Sequence, residues 1–147
     1  MKESKYNLVW GADLSAISLY RSILNKFPVV GNIDLKRWDF YITIANVWVA
    51  VTALDNTDYS ETKKQELQKI VIKDLIEKYP DGVRALNDCT DLINRTLSGN
   101  EGISQGDALG CWIVWNLFNR TDLSEEERQV IRVLGDISIE SFRSWWK

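Results

Sequence analysis

The chain has 147 residues with 18 basic and 21 acidic side chains, a net charge of −3, which argues against a phosphate-binding surface built on net charge and against a nucleic-acid partner. Histidine is absent and cysteine occurs twice, which excludes Ser-His and Cys-His nucleophile pairs, imidazole zinc sites, histidine-held haem and four-sulfur metal sites. One domain over 1-147 is expected, burying about 70% of its unfolded surface without a staple, and any catalysis must run on carboxylates, Lys, Tyr, Cys or a magnesium-like ion.

Residues 1 to 7 are polar and expected to fray. From Leu8 to Phe27, apolar residues at Trp10, Leu14, Ile17 and Leu24, with Ala16, Tyr20, Ile23 and Phe27, predict an amphipathic first helix with Asp13, Ser18, Arg21 and Asn25 turned outward. Pro28 breaks it, and Gly31 suits the connection.

The segment Ile33 to Leu54 is the expected organiser. No charge occurs from Phe40 to Leu54, a run too short for the roughly 20 residues of a membrane span. Its β-branched residues would also suit a strand over 41 to 51. Spacing favours a helix, because Asp39, Thr43, Asn46, Ala50 and Ala53 recur at steps of four and three and form one small, polar stripe. Trp38, Ile42, Ala45, Trp48 and Val49 form the large side, with Asp34 as the cap.

A third helix is expected over Ser60 to Tyr79, with Asp58 and Glu61 as a capping box and Leu67, Val71, Leu75, Ile72, Ile76 and Tyr79 buried. Pro80-Asp81-Gly82 stops it. Asp81 is the expected cap of a fourth helix, whose apolar line Val83, Leu86, Cys89, Ile93, Leu97 ends at Gly99. Ser104 opens a fifth helix to Asn119 that is apolar on nearly all sides, hence buried, with Gly106 and Gly110 expected to admit the organising helix closely. Ser124 and Glu127 form a capping box for a sixth helix, in which Glu125, Glu126 and Glu127 suit the positive end of the dipole. The fold class predicted is an all-α, single-domain bundle of about six helices, with 33-54 and 104-119 central.

Among candidate sites, Asp39 beside the apolar run is one for a carboxylate raised by burial, and Asp107 is the second possible acid or base. The ordinary alternative for Asp39 is an ion pair with Arg37, Lys36 or a neighbouring helix. Asp88 with Asp91, and Asp136 with Glu140, stand at helical spacing, as carboxylates that hold magnesium in bundles do, and otherwise as solvated faces. Gly99, Gly102 and Gly106 lack the lysine of a phosphate loop. Cys89 and Cys111 read as core.

Seven tryptophans are many, and Trp10, Trp38, Trp48, Trp112 and Trp115 are expected in the core. Trp145 and Trp146, adjacent on a helix, point about 100 degrees apart and cannot share one core. Arg143, Trp145 and Trp146 are therefore the predicted partner-binding surface. With no secretory signal and two cysteines, a cytoplasmic location is expected. The expectation is a protein-protein interaction or self-associating module without cofactor or membrane contact. The alternative is a carboxylate-based, magnesium-dependent enzyme or a small-ligand-binding protein, with a pocket between the central helices lined by Trp and Tyr and with Asp39 or Asp107 as its polar group.

Overall fold

The structure, a computed structural model, describes residues 7–147; the expected fraying of residues 1–6 lies outside them. It holds, among the described residues, six α-helices: α1 Leu8–Lys26, α2 Leu35–Leu54, α3 Glu61–Lys78, α4 Gly82–Gly99, α5 Gln105–Phe118 and α6 Glu125–Phe142, with a 3-10 turn, Pro28–Asn32, between the first two. The chain is an all-helical bundle, and 41 to 51 is helical. No helix of the described residues is long and apolar enough to cross a membrane.

Helix α2 is the organiser, in contact with α1, α4, α5 and α6. It starts at Asp34, whose carboxylate accepts from the Arg37 amide and so satisfies a donor the first turn leaves orphaned. Its small stripe is the seam that receives α1. Thr43, Asn46 and Ala50 are buried there, and so are Ala12 and Ala16 of α1. Small residues on both sides bring the backbones close enough for side chains to reach carbonyls. Trp38 Nε1 donates to Ala16 O at 2.8 Å, and Asn46 Nδ2 donates to Ala12 O at 3.1 Å. Asn46 Oδ1 accepts from Ser138 of α6 at 2.6 Å. One buried amide thus ties three helices, and leaving it unsatisfied would cost about 1 to 3 kcal/mol.

This close approach keeps Ala16 and Ile23 of the predicted face of α1 inside and turns Trp10, Leu14 and Ile17 out. Its buried residues are Leu8, Val9, Ala12, Ala16 and Ile23, whereas Trp10, Leu14 and Ile17 stay 64%, 49% and 52% exposed. The helix is rotated because alanine, rather than the larger stripe, fits against the α2 seam. Asp13, expected outward, is turned in and keeps only 13% of its side-chain exposure.

Other boundaries shift for local reasons. Helix α3 is capped by Ser60, which accepts from the Lys63 amide, in place of Asp58, and Ile76 on it is half exposed. Asp81 occupies the N-cap of α4 without a side-chain cap bond. Ser104 and Ser124 cap α5 and α6, the latter through the predicted box with Glu127.

The glycine seam of α5 faces α6 instead of α2. A Cβ on Gly110 would collide with the Ile131 carbonyl, and one on Gly135 would meet the backbone of Gly106 and Gly110. Three glycines from two helices meet where α5 and α6 pack. The third one, Gly135, lay outside the α5 pattern from which the seam was read.

Helix α6 stops at Phe142 and the chain turns, with Trp145 N bonded to Phe142 O and Lys147 N to Ser144 O. The 100-degree rule therefore lapses. Trp146 is buried, its Nε1 donating to Ala50 O at 2.7 Å. Trp145 stacks on Phe142 at 5.7 Å and lies beneath Gly11, where an added Cβ would stand 2.7 Å from its ring. Trp146 is in the core and Trp145 is half-buried, so neither ring stands fully exposed as the partner-surface expectation supposed, while Arg143 is exposed.

Candidate functional site

Tyr79, Pro80 and Gly82 make the corner between α3 and α4. The Gly82 amide donates to Tyr79 O at 2.8 Å, and a Cβ on Gly82 would press to 2.7 Å from the Leu75 side chain. The corner lays α4 back along α2 and α5. Its apolar line, Leu86, Cys89 and Ile93, enters the core. At 100 degrees per residue the next stripe holds Asp81, Arg84, Asp88, Asp91, Leu92 and Arg95.

That stripe forms one wall of a cleft of about 620 Å³. The other wall comes from the two central helices, with Phe40 and Tyr41 from α2 and Trp112, Trp115 and Asn116 from α5. The aromatic wall is held by edge-to-face contacts. Tyr79 meets Phe40 at 5.2 Å, Phe40 meets Tyr41 at 4.9 Å, and Tyr41 meets Trp112 at 5.5 Å. Such pairs contribute about 0.5 to 1.5 kcal/mol beyond burial, so the wall is stiff. Arg37 lies over Tyr41 at 5.3 Å while its Nε donates to Asn116 O at 2.7 Å near the end of α5, where a cation suits the dipole.

Two features of the cleft stand apart from ordinary surface. Trp115 is the only lining ring of the four that meets neither another ring nor a cation among the described residues. On the facing wall, Arg84, Asp88 and Asp91 are exposed and, among the described residues, join no ion pair. Arg95 sends its Nε to the Asp91 carbonyl at 3.4 Å. A rim of mixed, unneutralised charge across from a half-buried indole that meets no ring or cation among the described residues is suited to non-covalent recognition of a small ligand.

A larger recess, about 860 Å³, lies by the C-terminal turn and holds the predicted Arg143 and Trp146. Its two tryptophans, Trp48 and Trp146, are buried and present little surface to an occupant. Arg143 pairs with Glu140 at 3.5 Å.

Asp39 belongs to a polar cluster at the far end of the aromatic wall. Asp13 Oδ1 accepts from Tyr79 OH at 2.8 Å and from Thr43 Oγ1 at 3.4 Å, and its Oδ2 pairs with Lys78 at 3.3 Å. Burial, then the Asp13 charge, raises the Asp39 carboxyl above the usual carboxylate range, with Lys78 opposing. Burial and the bond to Asp13 push the Tyr79 phenol up. Lys78 also lies over the rings of Trp10 and Tyr79 at 5.9 and 5.6 Å. Asp39 is thus the perturbed acid its place suggested, in a network whose other members come from α1 and the end of α3, two partners the local sequence gave no sign of.

Asp107 is in a different state. Hydrogen bonds from the Arg132 guanidinium at 3.1 and 3.4 Å hold its carboxyl below the usual range, so it is an ion-pair member and a poor proton donor at neutral pH. Asp88 and Asp91 line the cleft, whereas Asp136 stands beside Gly106 and Glu140 pairs with Arg143. The two acidic pairs do not converge, and no three acidic or cysteine side chains of the described residues gather as a metal set. Burial raises both thiols, joined at Cys111 by the Asp107 charge.

No protein-family description, curated protein or solved structure matches the chain.

Proposed function

We propose that the protein binds a small organic ligand, non-covalently, in the aromatic cleft between α2, α4 and α5. The observation that carries this reading is the half-buried ring of Trp115, without a ring or cation contact among the described residues, across the cleft from the unpaired charges of α4. It is supported by size, since sites for small ligands commonly measure about 300 to 1,000 Å³, and by the ring contacts that hold the wall in shape without a ligand. It is supported also by the chemistry available, because the raised thiols and the paired Asp107 supply no ready nucleophile or acid beside the cleft. The proposed setting is the cytoplasm, whose reducing conditions would keep Cys89 and Cys111 as the free thiols they are.

The test is a thermal-shift screen of anionic, cationic, zwitterionic and neutral small molecules against the protein and its Trp115→Ala variant. A ligand at 100 times its Kd stabilises by about 2.7 kcal/mol. The reading requires compounds that raise the midpoint of the parent and not of the variant, and a screen with none would end it.

A second reading, the interaction module, is favoured by a different surface from the one expected. Trp10, Leu14 and Ile17 lie exposed at i, i+4 and i+7 on α1, the spacing by which helices present anchors to a partner. Recovery of partners on the tagged protein, lost with Trp10→Ser and Leu14→Ser together, would favour it over the ligand-binding reading.

A further inference from the structure

The charges of the cleft are ordered. Along one stripe of α4 they run Asp81, Arg84, Asp88, Asp91, Arg95, a central pair of acids with a cation one turn to either side and a third acid ahead of the first cation. The two arginines stand eleven residues apart, roughly 16 Å along the axis, and each lies about 6 Å along it from the nearer acid of the central pair. The Trp115 indole, with no ring or cation on it among the described residues, comes from α5 on the facing wall. Aromatic faces and carboxylates together select an organic ammonium, for which an indole is the best ring. Arginine selects a carboxylate or phosphate.

We propose that the ligand of the cleft is a free small zwitterion, an alkylated ammonium joined by a short linker to a phosphate or carboxylate. Its ammonium is received by Trp115 with Asp88 and Asp91, and its anion by Arg84 or Arg95. The proposal rests on the cleft being the ligand site. A simple cation would leave the arginines unused and repel them, and a simple anion would face the two acids at the centre. One helical turn separates each acid from its flanking arginine, and a two-carbon linker spans about that distance.

Phosphocholine is the probe, titrated at low salt so that exposed charges are not screened, with tryptophan fluorescence as the readout. Choline and inorganic phosphate are its two halves. The expected result is saturable binding of phosphocholine, at least about tenfold tighter than either half, weakened about tenfold or more by Asp88→Asn with Asp91→Asn and by Arg84→Gln with Arg95→Gln. All four residues are exposed, so these variants keep the fold, and unchanged melting verifies it. Three results would overturn the proposal: no phosphocholine binding at millimolar concentration, choline or phosphate bound as tightly as the whole, or unchanged affinity in either double variant. Sedimentation with phosphatidylcholine vesicles separates the two sources of this headgroup, and binding to vesicles without binding of free phosphocholine also overturns it. In each of these cases the cleft reading itself survives if the screen yields other ligands whose effect depends on Trp115.

Discussion

Replacing Gly135 by alanine adds one methyl group where α5 and α6 come closest. The new Cβ would stand 2.9 Å from Gly106 C and from Gly110 N and would run into the Gly106 carbonyl oxygen. Carbon contacts are most favourable at about 3.5 to 4.0 Å, so the helices must part by roughly 1 Å. Every atom met belongs to backbone, and no rotamer offers relief. A gap of 0.5 to 1 Å forfeits about a quarter to a half of each contact's attraction, here along a seam that buries Leu109, Ile113, Leu117, Val130 and Leu134. Overpacking of this kind costs about 3 kcal/mol at the upper end of its usual range, and the better helix propensity of alanine returns about 1. The net loss is about 2 kcal/mol. With an unfolding entropy near 2.1 cal/mol/K per residue, that corresponds to a fall of roughly 6 °C in melting temperature. Calorimetry or circular-dichroism melting measures it, with Gly99→Ala as the control, since nothing lies within 4 Å of that position. If Gly135→Ala melted as high as the parent, the close α5–α6 packing would be refuted.

Further outcomes follow from the packing and the charges. Trp38→Ala, in the core, should cost about 3 to 5 kcal/mol, while Trp10→Ala on the exposed side of α1 should cost no more than about 0.5; equal losses in urea melts would contradict the rotation of α1. Glu127 is held below the usual carboxylate range because, against the burial that raises it, bonds from Ser124 and Arg120 prevail. Its contribution is therefore present above the ordinary carboxylate pKa and lost as pH falls through the lowered value. Glu127→Ala should cost about 2 kcal/mol at neutral pH and less in acid, with denaturation midpoints across pH as the check. Asp39 has the opposite sign. Its raised folded pKa means that stability falls as pH rises from the ordinary carboxylate range through that value, so Asp39→Asn should be the more stable protein at neutral pH, and a lower midpoint there would contradict the assignment. Both thiols should resist a disulfide reagent at pH 8 in the native state and react fully in denaturant, because burial holds them protonated; rapid native labelling of Cys89 would contradict its buried state.

Much of the bundle was legible because local rules bind strongly at particular places. The step-of-four-and-three stripe of Asp39, Thr43, Asn46 and Ala50 made α2 a helix and its seam a receiving surface. The Ser124 and Glu127 box fixed the start of α6, and the run without charge at 108 to 118 fixed α5 as buried. Which face a helix turns inward was less legible. In α1 the expected stripe keeps Ala16 and Ile23 inside, joined by Ala12, while its large residues Trp10, Leu14 and Ile17 stay out, because the depth of the α2 seam decides and no local window contains it. The glycines of α5 misled in the same way, since Gly135, which completes the seam, lies on another helix. Trp145 and Trp146 were read as helical, and the stop at Phe142 that lets both turn inward carries no glycine or proline to announce it.

The site was legible in kind and not in detail. Aromatic residues of both central helices do line a cleft, but α4 forms its other wall, and neither Asp39 nor Asp107, the polar groups expected for a pocket between those helices, lines it. Asp88 and Asp91 stand out as a pair in the sequence, and Arg84 and Arg95 at the same helical spacing belong with them, while Trp115, expected in the core, is half-buried and lines the cleft.

The central claim is that the cleft binds a small ligand, and the indole N–H signals of the protein test it most directly. With the tryptophans 15N-labelled and the Trp115 signal assigned from Trp115→Phe, the stabilising compounds are titrated in. The account predicts that the Trp115 signal moves saturably while those of Trp48 and Trp146, around the C-terminal recess, stay in place. Movement of Trp48 and Trp146 with Trp115 unmoved would contradict it and transfer the site to that recess.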